Sequence, residues 1–220
     1  MNTYTIAIIG VGGIGSRIAL EMAQHGHNLV LIDFDTYEQH NRTRQPLAHL
    51  YEPGTNKATA HVDHLTKIYD QSFIAKTKKL TPESRIIADF IIIAVDTSEG
   101  RNTARTLCLE HGLPFLTVAN ETDDGEACLM IPEWQDTPKD PWVTWPDLYN
   151  PDPPDRGPSC TTDATIEKAP QTPNTNQLMA SLAVWITQKF LDTDCNPTEF
   201  QIIRAIATEW NVKTIKANEL

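Results

Sequence analysis

Two spacings of apolar residues alternate along the first 120 positions of the chain. Short runs of consecutive apolar residues, such as YTIAIIG and ADFIIIAV, are typical of strands buried in a sheet. Between these runs, apolar residues recur every three or four positions, which is typical of helices with one buried face. Strands that alternate with helices predict an α/β fold with a doubly wound, mostly parallel sheet. We expect strands at 4–9, 28–34, 72–80, 88–96 and 113–119, and helices at 14–24, 54–70 and 98–112.

Proline changes the character of the chain after residue 131. Ten of the fifteen prolines lie between 132 and 173, together with Trp134, Trp142 and Trp145. Because proline lacks a backbone N–H and clashes with a preceding turn, this segment is predicted to be neither regular helix nor central strand. We expect a Pro-rich crossover loop. It is either a passive connection or, as the tryptophans suggest, a segment that packs on the domain or on a partner.

The C-terminal part of the chain predicts a helix followed by antiparallel strands. A helical pattern covers 174–191, and two strands at 200–208 and 211–217 flank a tight turn. The apolar helix could serve the core or a subunit interface. A chain of 220 residues fits one domain. We divide it into a core (1–131), the crossover loop (132–173) and a C-terminal helix with a β-hairpin (174–220).

Charge and cysteine content narrow the class of protein. The formal net charge is −11 and no long basic block is present, which disfavours nucleic acid as a partner because phosphate binding needs a positive field. No apolar run approaches the roughly 18 residues of a membrane span, and no leader is visible, so we expect a cytoplasmic protein with no membrane contact.

The cysteines are far apart in the sequence. Without a C-x-x-C pair, the sequence predicts neither a zinc site nor a disulfide framework. The four cysteines are Cys108, Cys128, Cys160 and Cys195, of which the first two are expected in a helix and a strand of the core.

A glycine-rich turn, GVGGIG, follows the first strand and opens the first helix. Gly10, Gly12, Gly13 and Gly15 allow a tight turn and let backbone N–H groups approach a phosphate at the positive end of the helix. Asp33 closes the second strand, where its carboxylate can accept hydrogen bonds from ribose hydroxyls. We expect Gly13→Val to place a branched side chain beside the phosphates, so that the protein stays folded but no longer binds its nucleotide. NAD and ATP satisfy these features equally well.

Three charged residues near the strand ends favour ATP. Arg44 and Lys57 follow the second strand, and two cations suit a triphosphate whose charge changes during reaction. Asp96 follows the central strand, where a carboxylate can hold Mg²⁺ against phosphate oxygens. A hydride-transfer site needs no such set of cations.

Together these motifs resemble the ThiF/MoeB superfamily, the adenylating fold of ubiquitin-activating enzymes. Its pattern is GxGGxG, then D-x-D after the second strand, N-x-x-R-Q, a lysine about a dozen residues later and an aspartate after the central strand. The resemblance runs from residue 5 to about 120 and resumes at GPSC (157–160), where it is most similar to bacterial PRTRC-type ThiF proteins. The matching residues are Gly10, Gly12, Gly13, Gly15, Asp33, Asp35, Asn41, Arg44, Gln45, Lys57 and Asp96.

The resemblance implies a Rossmann-like fold and an ATP-dependent reaction. The glycine turn, with Asp33, Asp35 and Gln45, would bind ATP. Asn41, Arg44 and Lys57 would surround the phosphates, and Asp96 would organise Mg²⁺. The C-terminal carboxylate of a small ubiquitin-like protein would attack the α-phosphate, release pyrophosphate and leave an acyl-adenylate. An NAD(P)-dependent oxidoreductase and a nucleotide-binding scaffold without catalysis are the alternatives.

The same resemblance implies partners. Relatives pair through the sheet domain, so we expect a homodimer, and a conjugating enzyme is a further expected partner. Relatives also bring an arginine to the phosphates, for which Arg17, Arg42 or a partner chain is the candidate source. Cys160, in the matching crossover loop, would accept the acyl group as a thioester. The alternative is that Cys160 is buried or idle.

Overall fold

The described part of the chain forms one mixed sheet of eight strands flanked by helices. The computed structural model describes residues 2–120, 124–146, 172–196, 202–208 and 211–216. The strands are β1 (Thr5–Ile9), β2 (Asn28–Ile32), β3 (Phe73–Lys76), β4 (Phe90–Ile93), β5 (Phe115–Asn120), β6 (Gly125–Met130), β7 (Ile202–Thr208) and β8 (Asn211–Lys216). The helices are α1 (Gly15–Gln24), α2 (Lys57–Thr66), α3 (Ser98–Glu110), α4 (Pro141–Thr144) and α5 (Pro173–Leu191), with 3₁₀ turns at Gln39–Thr43 and Pro132–Trp134.

The strand order places a crevice between β1 and β4. The order is β3-β2-β1-β4-β5-β6-β7-β8, with parallel pairing from β3 to β5 and antiparallel pairing from β5 to β8. The chain winds outward from β1 to β3 and then returns to start again at β4. In such a sheet, ligands bind outside the carboxyl ends of the strands where the order reverses. The predicted α/β class is confirmed, with its parallel core and its C-terminal antiparallel strands.

Helices cover the parallel core. α1 packs on α2 and α5, while α3 packs on β4 and β5. All four residues of β4 are buried, as expected for a strand that is covered on both faces. Cys108 in α3 and Cys128 in β6 are also fully buried, which confirms the prediction that both belong to the core.

The observed elements are shorter than the predicted ones at the ends that face the crevice. α2 begins at Lys57 because Asn56 caps it, accepting a hydrogen bond from the Thr59 N–H at 3.0 Å. β4 ends at Ile93, so Asp96 lies in the loop before α3, which Thr97 caps. Capping by Asn56 thus sets the start of α2, and capping by Thr97 sets the start of α3.

The first part of the Pro-rich segment is partly helical, contrary to expectation. The turn at Pro132–Trp134 and α4 each carry proline in the first helical turn, where its missing N–H is not needed. Trp142 packs edge-on against Phe115, and the Arg105 guanidinium lies 4.9 Å from the centre of its indole ring. This part of the segment therefore packs on the domain. Residues 147–171, which include Cys160, lie outside the described residues.

Among the helices that the structure describes, none combines the length and apolar character needed to cross a membrane. The proposed division at residues 131 and 173 stays a prediction.

Candidate functional site

A cleft of about 260 Å³ opens at the carboxyl ends of β1, β2, β4 and β5. The structure brings together there most of the residues that the motifs single out. Gly15, Asn41 and Arg44 do not line this cleft, and Cys160 lies outside the described residues. The predicted residues that line it are Gly10, Gly12, Gly13, Asp33, Asp35, Gln45, Lys57 and Asp96.

The four glycines of the turn have different surroundings. Gly10 has a φ of +87°, and a Cβ there would lie 2.7 Å from the Ala94 carbonyl oxygen. A Cβ on Gly15 would lie 1.9 Å from the Gly10 carbonyl oxygen, so this glycine lets the helix pack against the turn. A Cβ on Gly12 would have no heavy atom within 4 Å. Gly12 is therefore the position where the backbone is open to a ligand.

Gly13 differs from what the motif suggests. A Cβ at Gly13 would lie 2.5 Å from Nδ2 of Asn176, a fully buried side chain of α5. Gly13→Val would thus disturb the packing of α5 as well as the turn. The expectation that this change would act on the ligand alone needs correction, because the space beside Gly13 is filled by the protein itself.

Asp33 joins the end of β2 to the glycine turn. Its Oδ2 accepts a hydrogen bond from the Val11 N–H at 2.6 Å, and its Oδ1 accepts one from the Asp35 N–H at 2.8 Å. Burial raises the pKa of this carboxyl group, and the nearby Lys57 ammonium works in the opposite direction. Each carboxylate oxygen keeps a further lone pair, so Asp33 can position the turn and still accept a bond from a ligand.

Lys57 places a buried ammonium group beside the cleft. It is the first residue of α2 and only 7% exposed. Its Nζ lies 3.2 Å from Oδ2 of Asp35, whose side chain is about half exposed. The carboxylate fixes the lysine in place while leaving two of its three N–H donors for other acceptors.

The segment 41–45 lies next to the cleft, and of its three candidate residues only Gln45 lines it. Asn41 Oδ1 accepts from the Glu38 N–H at 2.9 Å and shapes the 3₁₀ turn. The Arg44 and Gln45 side chains are buried, and among the described residues Arg44 Nη2 and Gln45 Oε1 have no hydrogen-bond partner. Gln45 reaches the cleft, whereas Asn41 and Arg44 do not line it.

The two arginines that the sequence suggested as phosphate ligands, Arg17 and Arg42, do not line the cleft. Nη1 of Arg17 donates to the carbonyl oxygens of Gly13 at 2.7 Å and Arg44 at 2.8 Å. This guanidinium ties the glycine turn to the segment that carries Arg44, and burial lowers its pKa. Arg42 is exposed and does not line the cleft.

The cleft also contains residues that the sequence motifs did not single out, among them Arg101 and Asn120. Arg101 donates from Nη2 to the Asp96 carbonyl oxygen at 3.2 Å, while its buried Nε has no partner among the described residues. Asn120 ends β5 and lines the same cleft. The rule that ligands bind at the carboxyl ends of parallel strands, applied to every strand, could have found Asn120, whereas Arg101 lies inside α3.

Comparison with known proteins identifies the family. The sequence matches the ThiF family over residues 1–219. The chain belongs to the ThiF family. Two curated relatives are 28% identical to this ThiF-family chain: rat ubiquitin-like modifier-activating enzyme 5, over 60% of this chain and 38% of the relative, and Escherichia coli K12 molybdopterin-synthase adenylyltransferase, over 55% and 51%. The chain thus spans about half or less of the length of these relatives.

Solved structures share the ThiF-family fold of this chain. E. coli MccB, crystallised with AMPCPP and MccA, superposes with a TM-score of 0.71 at 20% identity, covering 97% of this chain and 63% of MccB. PaaA superposes with a TM-score of 0.68 at 18% identity, covering 96% of this chain and 62% of PaaA. At this level of identity the likeness establishes the fold.

The ThiF-family cleft carries one candidate metal ligand from the motifs, Asp96, whose side chain is exposed. Across the described ranges, no three His, Cys, Asp or Glu side chains form a cluster that could hold a metal by themselves. Mg²⁺ is commonly held by one or two carboxylates together with substrate phosphates. Asp96 fits that kind of site.

Proposed function

We propose that this chain activates a small ubiquitin-like protein by ATP-dependent adenylation of its C-terminal carboxylate. The observation that carries the proposal is the meeting of three features in one cleft. These are the open backbone at Gly12, the buried Asp33 carboxylate beside it and the buried Lys57 ammonium. A polyanionic nucleotide needs an open turn, an acceptor for the ribose and a cation, and the cleft offers each of them.

The nucleotide would lie across the ends of β2 and β1. Asp33, at the end of β2, would accept from the ribose hydroxyls, and the turn at Gly12 would face the phosphates. Lys57 would neutralise phosphate charge from a position that Asp35 already fixes. Because the lysine is held before the ligand arrives, little reorganisation is needed when charge shifts to the leaving pyrophosphate.

Asp96 would hold Mg²⁺ at the opposite side of the turn. A bound Mg²⁺ would draw charge from the phosphate oxygens and favour departure of pyrophosphate. Arg101 fixes the Asp96 backbone through its carbonyl oxygen, so the carboxylate is presented from a defined position.

In the proposed reaction a substrate carboxylate oxygen forms a bond to the α-phosphorus. The bond from that phosphorus to the bridging oxygen breaks, and pyrophosphate leaves with the electron pair. No proton has to be removed because the carboxylate is ionised at neutral pH. Catalysis therefore consists of positioning the two reactants and stabilising the developing charge.

The relatives support a polypeptide as the substrate. One is named an activating enzyme of a ubiquitin-like modifier, another an adenylyltransferase of molybdopterin synthase, and MccB was crystallised with MccA. We further propose the PRTRC-type subclass, a bacterial or phage conjugation system, a cytoplasmic location, a homodimer and a conjugating-enzyme partner.

The decisive experiment is ATP–pyrophosphate exchange with small candidate proteins that end in a free glycine. We expect exchange that needs both Mg²⁺ and the candidate protein. Binding of NADH with a change in nicotinamide fluorescence, and no exchange, would instead support an oxidoreductase. ATP binding without exchange for any candidate would support a scaffold.

Cys160 adds a second stage to the proposal. We propose that its thiol accepts the acyl group from the adenylate and releases AMP, which leaves a thioester. Cys160→Ala should still form the adenylate but lose the reductant-sensitive covalent adduct. Survival of the adduct in this variant, or its absence in the parent, would remove the thioester stage and leave the adenylating role.

A further inference from the structure

Two amides meet at the β5 end of the cleft, at a place that the proposed chemistry does not use. Asn120, the last residue of β5, donates from Nδ2 to Oδ1 of Asn176 in α5 at 2.9 Å. One atom of each amide is left over. Asn120 Oδ1 and Asn176 Nδ2 are both buried and lack a hydrogen-bond partner within the described ranges. Buried polar atoms of native proteins are nearly always paired, so the unpaired Asn120 Oδ1, on a residue that lines the cleft, indicates a ligand that completes it.

The two amides differ in what they can reach. Asn120 lines the cleft, whereas Asn176 is fully buried and packs against Gly13 of the glycine turn. Asn176 is therefore held by the turn on one side and holds the Asn120 amide on the other. One N–H of Asn120 Nδ2 is used in this bond, and the atom of this amide that has no partner among the described residues is the acceptor, Oδ1.

The strand order indicates which part of the bound reactants would lie near Asn120 Oδ1. Along the edge of the sheet the order is β2, β1, β4, β5, with about 4.8 Å between neighbours. Asn120 thus lies three strands, about 14 Å, from the strand that leads to Asp33. With the ribose at Asp33 and the leaving pyrophosphate neutralised by Lys57 on the β2 side, the opposite face of the α-phosphorus would be turned toward β4 and β5. In-line attack would therefore bring the carboxyl end of the substrate in from the side of Asn120.

We propose that Asn120 is a specificity-determining residue for the substrate tail. Its Oδ1 accepts a hydrogen bond from the main-chain N–H of the C-terminal residue, and Asn176 is the positioning residue that aims it. The inference rests on the proposed adenylation. A main-chain N–H is common to every tail except one that ends in proline or an N-alkylated residue. The site therefore selects a secondary amide next to the carboxylate and rejects tails that lack one.

The test compares two forms of one substrate that differ by a single N–H. The probe is the small protein that supports pyrophosphate exchange, made by semisynthesis with either glycine or sarcosine as its last residue. In the parent enzyme we expect the sarcosine form to raise KM for the protein by about tenfold, since a buried acceptor is left without its donor. In Asn120→Ala the glycine form should show a similar rise, and sarcosine should cause no further change. KM for ATP should stay the same in both enzymes.

Matched variants separate recognition from folding. Asn120→Ala alone leaves the whole Asn176 amide buried and unpaired, whereas the double change Asn120→Ala with Asn176→Ala removes both amides and serves where the single variant misfolds. Asn28→Ala is the control, because that amide lies at the other end of β2, where it accepts from the Ser72 N–H at 2.9 Å. Asn28→Ala should keep the tenfold discrimination, and the double variant should lose it.

Several results would overturn the inference. Equal KM for the glycine and sarcosine forms in the parent enzyme would show that no N–H is recognised. A sarcosine penalty that persists in Asn120→Ala would place the acceptor elsewhere. A raised KM for ATP without any change in discrimination would make the pair a support of the glycine turn alone. Absence of exchange with every candidate protein would reject the proposed adenylation, whereas exchange without discrimination would reject only the role of Asn120.

Discussion

The two halves of the cleft are built in different ways. In the fixed half, formed by Asp33, Asp35 and Lys57, the charged groups are bonded within the protein, from 2.6 Å between Val11 N and Asp33 Oδ2 to 3.2 Å between Lys57 and Asp35. In the open half, formed by Asp96, Arg101 and Asn120, hydrogen-bonding capacity remains. The Asp96 side chain is exposed, and among the described residues Arg101 Nε and Asn120 Oδ1 have no partner.

The difference follows from what each half is proposed to bind. A nucleotide always presents the same ribose and phosphates, so the groups that meet it can be bonded in advance and need little reorganisation on binding. A metal ion and a protein tail arrive separately and bring their own ligands and donors. The groups that meet them must keep free atoms until then. The comparison predicts that changes in the fixed half act on stability and nucleotide binding together, while changes in the open half act on the reaction and spare the fold.

The largest effect is expected at the border between the halves. Gly12→Val should abolish ATP binding and leave the fold intact, because a side chain there enters open space that the phosphates would occupy. Calorimetric titration with ATP and a thermal melt measure the two outcomes. Gly13→Val is the matched control and should also lower the melting temperature, since its Cβ meets Asn176. Normal ATP affinity in Gly12→Val would remove the turn from the nucleotide site.

Loss of Asp96 tests the open half. Asp96→Ala should lower the rate of Mg²⁺-dependent pyrophosphate exchange by about 10²- to 10³-fold, as expected when a group that stabilises developing charge is lost. Its free energy of unfolding should hardly change because the side chain is exposed. Asp70→Ala removes another exposed aspartate, outside the cleft, and should leave both quantities unchanged. Exchange at the parental rate in Asp96→Ala would reject the proposed metal role.

Loss of Asp33 tests the fixed half. Asp33→Ala leaves the Val11 and Asp35 N–H groups without their acceptor and should lower the free energy of unfolding by about 2 kcal/mol. The cost of burying a carboxylate, visible in its raised pKa, offsets part of what the two bonds contribute. Asp33→Asn keeps one acceptor and should lose about half as much stability. Urea denaturation gives the stability, and ATP titration should show weaker binding in both variants. An unchanged free energy of unfolding in Asp33→Ala would contradict the expectation that changes in the fixed half lower stability.

We expect a buried histidine next to Lys57 of the fixed half to make the stability of the protein depend on pH. His61 Nδ1 lies 2.9 Å from the Lys57 carbonyl oxygen, and burial lowers the pKa of this histidine from 6.5 to about 4. The folded state thus keeps the ring neutral while the unfolded chain takes up a proton as the pH falls below 6.5. Stability is complete well above that pH and declines toward pH 4, by about 2 kcal/mol between pH 8 and pH 5 from this group.

His61→Gln checks this dependence, because the variant has no titrating group at that position. Urea denaturation at the two pH values should show a loss of stability about 2 kcal/mol smaller than in the parent. An equal loss in the two proteins would mean that His61 is protonated in the folded state as readily as in the unfolded one.

Much of the fold and of the cleft could be predicted from local sequence patterns. Runs of apolar residues locate the strands of the parallel core, and GVGGIG identifies the turn between β1 and α1. Since Asp33 directly follows β2 and Asp96 lies in the short loop after β4, the rule of carboxyl ends places both at one edge of the sheet. The described start of the Pro-rich segment was less predictable, because proline within the first turn of a helix is compatible with that helix.

The sequence by itself determined the order of the elements, the parallel core, the glycine turn and the charged residues Asp33, Lys57 and Asp96 of the cleft, because these depend on neighbours within a few positions. Only the tertiary structure decided that Gly12 faces open space while Gly13 faces Asn176, and that Arg17 bonds the turn to Arg44. It alone brought Asn120 and Asn176 together across 56 residues of chain. The physical reason is that burial and pairing of a polar atom depend on whatever another element brings against it, and no local pattern records that partner.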